Sequence, residues 1–175
     1  MQPTLRAKVP AGDALQTIVE WRPQDFSKLG AFELALLFAG LFTCLLPVEA
    51  ALASSAQQFP LKSAWHLFWG SGVFSAVLDN APTYAAFAAL ARGLSHGEPD
   101  LVAGIAPLKL AAISAGSVVM GATTYIGNGP NLMLKAIAER SGVRLPSFVR
   151  FFVFAFVAML PAHLLVTLVF AWLER

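Results

Sequence analysis

Apolar runs separated by short polar breaks organise this chain. Residues 1–28 are polar and interrupted by Pro3, Pro10, Gly12 and Pro23. They lack the early apolar stretch that a signal peptide needs. Apolar character begins at Leu29 and holds to about Ser54, long enough to cross about 30 Å of hydrocarbon with some tilt. Pro47 lies inside this run, and Gln57, Gln58 and Pro60 follow it as a loop. The last run, 146–173, contains Pro161 and His163 and ends on Trp172 and Arg175, which suit a membrane interface. Residues 29–54 and 146–173 are therefore predicted as full spans.

The middle of the chain behaves differently. In 61–95, two apolar arms too short for easy spans flank the polar turn Asp79-Asn80-Ala81-Pro82-Thr83. This is the form of a re-entrant helical hairpin, whose tip is tolerated at membrane depth only inside protein or beside a water-filled cavity. Two tilted spans with Asp79 at the surface are the alternative. After the loop 95–100, the segment 101–141 starts with small residues. Ala112, Gly116, Ser117 and Gly121 supply spacings for close helix packing. It is then broken by Gly127-Asn128-Gly129-Pro130-Asn131, which cannot continue a helix, although Pro130 suits the start of a new one. The pattern predicts a discontinuous helix.

Composition narrows the class. Hydrophobic residues make up 57% of the 175 and charged residues 13%, about half the charged share of a soluble domain. Mean hydropathy is +0.67. The fold class expected is an all-α membrane protein, with 1–28 as a polar N-terminal segment and 29–175 as the membrane domain. Net charge is +2 with no basic block, which argues against nucleic acid as a partner. The single cysteine, Cys44, lies in an apolar run and reads as a small hydrophobe. No zinc pattern, phosphate loop or nucleophile elbow occurs, so no enzyme is expected.

Loop charge sets an orientation. Arg6, Lys8, Arg22, Lys28, Lys135, Arg140, Arg144 and Arg150 fall on the side of the N-terminus, against Lys62, Arg92, Lys109 and Arg175 on the other. The excess predicts a multi-pass protein of the cell (inner) membrane with a cytoplasmic N-terminus and an extracytoplasmic C-terminus.

The two polar breaks hold the candidate chemistry. Asp79, Asn80 and Thr83 offer a carboxylate, an amide and a hydroxyl; Gly127, Asn128, Gly129 and Asn131 offer amides, freed carbonyls and the N–H groups of a new helix. Thr123 and Thr124, just before the second break, could add hydroxyl ligands. Oxygen donors of this kind suit Na⁺, and a half-helix N-terminus suits an anionic group. Asp79 is the expected proton carrier, because among the break residues only it can be anionic with the cation bound and neutral without it. A surface turn and a plain interhelical loop are the bland readings of the two breaks. Glu33 and Glu49 flank the first span, and His66 and His163 read as buried or interfacial. The stretch from Phe148 to Phe156 reads as facing lipid. No cofactor is expected, and no metal beyond transported Na⁺.

Three stretches carry a resemblance: SAVLDNAPTYAAF (75–87), GATTYIGNGPNLMLKAIAE (121–139) and LFAGLF (37–42). They resemble the sodium:proton antiporter and citrate-transporter-like proteins of the ion transporter superfamily, over residues from about 26 to 173. The resemblance implies two inverted repeats, each with a re-entrant hairpin and an unwound helix that together bind coupling ion and substrate. It puts Asp79, Asn80 and Thr83 at a hairpin tip entering from the extracytoplasmic side, facing Gly127, Asn128, Gly129 and Asn131. It also implies that this chain holds only the second repeat. The expected partners are then the lipid bilayer and the absent first repeat or another copy, with a homodimer as one arrangement. Where related symporters carry a Ser-Asn-Thr tip, this chain has Asp79-Asn80-Ala81-Pro82-Thr83. That departure favours a sodium:proton antiporter over an anion carrier such as a citrate or arsenite-type permease. A reading from another class is a truncated, non-transporting membrane remnant that pairs with a separate first half.

Overall fold

A computed structural model describes residues 28–175, and expectations for 1–27 lie outside the described residues. The described residues are all helical, with no strand beyond an isolated bridge between Val102 and Ile105. Helix α1 spans Lys28–Ser55 and runs into a 3₁₀ turn, Ala56–Gln58. Then follow α2 (Ala64–Ser75), α3 (Asn80–Leu94), α4 (Pro107–Gly121), α5 (Gly129–Arg140) and α6 (Phe148–Leu173).

Length separates these helices into two kinds. At 1.5 Å per residue, α1 and α6 are each about 40 Å long, whereas α2 to α5 reach only about 18–23 Å. Only the long pair is long and apolar enough to cross a membrane. Both continue through an internal proline, Pro47 in α1 and Pro161 in α6. Phe32, Leu36, Leu37 and Leu46 on α1, and Val149, Phe154, Leu165 and Leu168 on α6, are 62–73% exposed. So much contiguous apolar surface suits hydrocarbon, not water. Cys44 is part of this exposed face.

The core lies among the short helices. Helices α2 and α4 approach until their backbones touch, because the facing residues are small. A Cβ on Gly116 would collide with the Phe68 carbonyl and the Ser71 hydroxyl, and one on Gly72 with the Met120 side chain. Leu67, Phe68, Ala112, Ile113 and Met120 are buried around this contact. Dispersion and close packing hold such a seam where lipid removes the hydrophobic incentive for association. Helix α1 crosses α3 in the same way at Gly93, which lies against Ala53 and Ala56 and accepts a hydrogen bond from Gln57 Nε2 at 3.2 Å.

Two details differ from the sequence-based expectation. The segment expected to be helical from 101 enters helix only at Pro107. Asp100, Ala103 and Gly104 take positive φ there, a backbone state that breaks a right-handed helix. The Phe148–Phe156 stretch does not face outward as a block. Phe148 and Phe154 are exposed, but Phe151 stacks on Tyr125 and Phe156 packs on Trp69. The helical period, at 100° per residue, divides a run of aromatics between two faces.

Candidate functional site

Helix α2 stops at Ser75, and residues 76–79 turn the chain into α3. Asp79 caps α3: its Oδ1 accepts the Asn80 N–H at 2.8 Å. Thr83 is buried one turn on, and its hydroxyl donates to the Asp79 carbonyl at 2.9 Å. A carboxylate at a helix start both accepts an orphan N–H and meets the positive end of the helix dipole. The Asp79 side chain is exposed and Asn80 half-buried.

Helix α4 stops at Gly121, and residues 122–128 are irregular. Thr123, Thr124, Tyr125 and Gly127 are buried there, so each polar group must find a partner. The Thr123 hydroxyl donates to the Met120 carbonyl at 2.6 Å, closing the end of its own helix. The Thr124 hydroxyl reaches across: it donates to the Ala76 carbonyl at 2.5 Å and accepts the Gly127 N–H at 2.8 Å. Asn128 caps α5 by accepting the Asn131 N–H at 3.0 Å, with Pro130 in the first turn. The Asn131 side-chain amide turns back and donates to the carbonyls of Thr124, at 2.9 Å, and Ala122, at 3.3 Å.

The end of the first arm and the second break thus touch. The Ser75 hydroxyl donates to the Ser117 carbonyl at 2.5 Å. A Cβ on Gly121 would lie 2.9 Å from Ser75 Oγ and 3.3 Å from the Gly127 carbonyl oxygen. One on Gly127 would lie 2.9 Å from the Ser75 carbonyl oxygen and would collide with the Gly121 carbonyl. Glycine is needed at 127 because the main-chain oxygens of Gly121 and Ser75 occupy the place of a Cβ, and at 121 the Ser75 hydroxyl and the Gly127 carbonyl leave little room, so the oxygens of Ser75, Gly121 and Gly127 crowd the same small space. Ser117 Oγ is buried without a hydrogen-bond partner. Hydroxyl, carbonyl and amide oxygens with neither thiolate nor imidazole are the donors that hard cations prefer. No cluster of three His, Cys, Asp or Glu side chains that could hold a metal ion occurs among the described residues.

A family model described as "Putative citrate transport" matches residues 17–171. The chain belongs to this citrate-transport family. With its two long apolar helices, it is a membrane protein of a transport family. No curated protein and no solved structure gives a match.

In this member of the family, the structure brings some of the sequence-predicted site residues together and leaves others apart. Thr124, Gly127, Asn128 and Asn131 form one connected network with Ala76. Asp79, Asn80 and Thr83 form a separate one, and no hydrogen bond joins the two among the described residues. Gly129 is exposed, with nothing close to the position its Cβ would take. The residues absent from the sequence-based candidates are Ser75, Ser117 and Gly121. Their signal was the spacing of small residues, Ser71 and Ser75 on α2 against Gly116, Ser117 and Gly121 on α4. Such spacing predicts close packing without saying that main-chain oxygens gather where the packing ends.

Proposed function

We propose that this protein is a secondary carrier that moves a citrate-class carboxylate together with a cation through the place where the two breaks meet. The crowding of the Ser75, Gly121 and Gly127 carbonyls where the Thr124 hydroxyl bridges the Ala76 carbonyl and the Gly127 N–H carries the reading. Freed carbonyls are the ligands with which an unwound membrane helix binds Na⁺, and half-helix N-termini such as those of α3 and α5 suit an anionic group. In this reading Asp79, Asn80, Thr83, Thr123, Thr124, Gly127, Asn128, Gly129 and Asn131 line the path. The turn at 76–79 is the tip of a re-entrant hairpin, and the N-terminus is cytoplasmic. An inverted repeat or a second copy covers α5, whose Leu132, Met133 and Leu134 are exposed.

Sodium:proton antiport is the second reading, and one observation favours it. The carboxylate of Asp79 is solvent-accessible at the start of α3 and tied by only one hydrogen bond, to Asn80 N–H. It can therefore trade a cation for a proton without breaking a buried network.

Reconstitution into proteoliposomes separates the two. Radiolabelled citrate uptake that rises with an inward Na⁺ gradient supports the carrier. Na⁺-driven proton movement without citrate uptake supports the antiporter, and neither activity in well-folded protein overturns both.

A further inference from the structure

His163 is the one buried side chain among the described residues that can take up a proton near neutral pH, and it plays no part in the proposed path. It is fully buried, and neither ring nitrogen has a hydrogen-bond partner. A neutral imidazole carries one donor and one acceptor, and leaving both unmet in a buried site is destabilising. The ring is enclosed by aromatics: the centroids of Trp69 and Phe156 lie 5.9 Å away and that of Phe68 6.3 Å. Phenylalanine would fill the same space with nothing unmet. A histidine here makes physical sense if its nitrogens are satisfied in another arrangement.

Aromatic packing and few hydrogen bonds hold the seam around it. Among the described hydrogen bonds, two tie α2 to α6 and its C-terminal cap, Trp69 Nε1 to Thr167 Oγ1 at 2.8 Å and the Ala64 N–H to the Glu174 carboxylate; Thr167 in turn donates to the His163 carbonyl at 2.7 Å. Pro161, two residues before His163, has no N–H to give to the helix ladder, so α6 is weakened at this level. No counter-charge faces the ring. The titratable side chain of α2 is His66, a turn earlier, its ring tilted against that of Trp65. Helix α4 carries Lys109, paired with Glu98. Helix α6 carries Arg150, about 20 Å along the helix. Glu174, just past its end, accepts the Ala64 N–H.

We propose that His163 is a proton-binding site in the α2–α6 seam, separate from the two breaks, which takes up its proton when the seam opens and gives it up when the seam closes on the aromatic niche. The step is proton transfer between the imidazole and water alone. This site does not depend on which substrate is carried, and it is testable without transport.

The experiment uses purified full-length chain in lipid nanodiscs. Trp21, Trp65 and Trp172 are replaced by Phe so that Trp69 alone reports. An imidazolium beside an indole quenches its fluorescence. Lowering the pH from about 8 to about 5 should quench Trp69, reversibly. His163→Phe and His163→Asn should each abolish the quench, and His66→Phe should keep it. His163→Phe should also raise the melting temperature, but a purely structural histidine would show that as well, so the pH response decides. Emission that stays constant with pH, or a quench that survives both His163 variants, overturns the proposal.

Discussion

Helices α4 and α5 are the two halves of one interrupted segment, and they are held in opposite ways. Helix α4 is rich in small residues and packs its backbone onto α2, with Ala112, Ile113, Gly116, Ser117, Met120 and Gly121 buried. Helix α5 has no buried residue and packs against no other described helix. What fixes α5 is the break itself: the Asn128 cap, the two bonds from Asn131, and Lys135 over the Tyr125 ring at 5.6 Å. One half is thus anchored by shape and the other by a handful of polar groups. Changes in α4 should therefore act on folding, changes in the break and at Asn131 on the site, and changes along the rest of α5 on neither.

The largest effect is expected at the α2–α4 seam. Gly116→Val puts a branched side chain against the Phe68 carbonyl, with no flexible neighbour to move aside. Overpacking of a tight contact costs about 1–3 kcal/mol and often more. Loss of monodisperse protein on size-exclusion chromatography is the expected outcome. Normal yield and melting temperature would mean that the seam is looser than described.

A smaller effect is expected at Thr124. Thr124→Val keeps the shape but strands the Ala76 carbonyl and the Gly127 N–H, at about 1–3 kcal/mol for each buried group left unpaired. Folded protein with a lowered melting temperature and severely reduced transport should result, whereas Thr124→Ser should restore much of both. Equal behaviour of the Val and Ser variants would remove the hydroxyl from the account.

Asp79→Asn separates the two proposed activities. An amide still accepts the Asn80 N–H, so stability should change by less than about 1 kcal/mol. Citrate uptake should be reduced but persist if the protein is a citrate carrier, and pH-dependent exchange should vanish if it is an antiporter.

The smallest effect belongs to α5. Lys135→Ala removes an exposed pair with Glu139, at 2.7 Å, and the contact with the Tyr125 ring, at 5.6 Å, and should shift stability by about 1 kcal/mol or less. A drop of several degrees in melting temperature would show that α5 is anchored more firmly than its contacts indicate.

Much of this was legible in the sequence, for identifiable reasons. The two long apolar runs became the two long helices, because length and hydropathy over more than 20 residues are robust signals. The breaks at Asp79 and Gly127 stood out because polar residues, glycine and proline interrupt apolar sequence there. That Thr124 reaches Ala76 was not legible: 48 residues separate them, and nothing local in either stretch encodes the partner. Thr123, beside it, looked the same in sequence yet bonds its own helix end. The loop before Pro107 was missed because Leu101, Val102 and Ile105 read as apolar helix, while positive φ at Asp100 and Ala103 leaves no trace in hydropathy.

The central claim is that the two breaks act as one site, and equilibrium binding tests it most directly. Radiolabelled citrate would be titrated onto purified protein with and without Na⁺, for the wild type and for Ser75→Ala, Gly127→Ala and Thr124→Val. Na⁺-dependent binding that all three variants weaken together is expected, since Ser75 ends the arm that leads into one break and Gly127 and Thr124 lie on the other. Wild-type binding that ignores Na⁺, or that survives all three substitutions in folded protein, would contradict it.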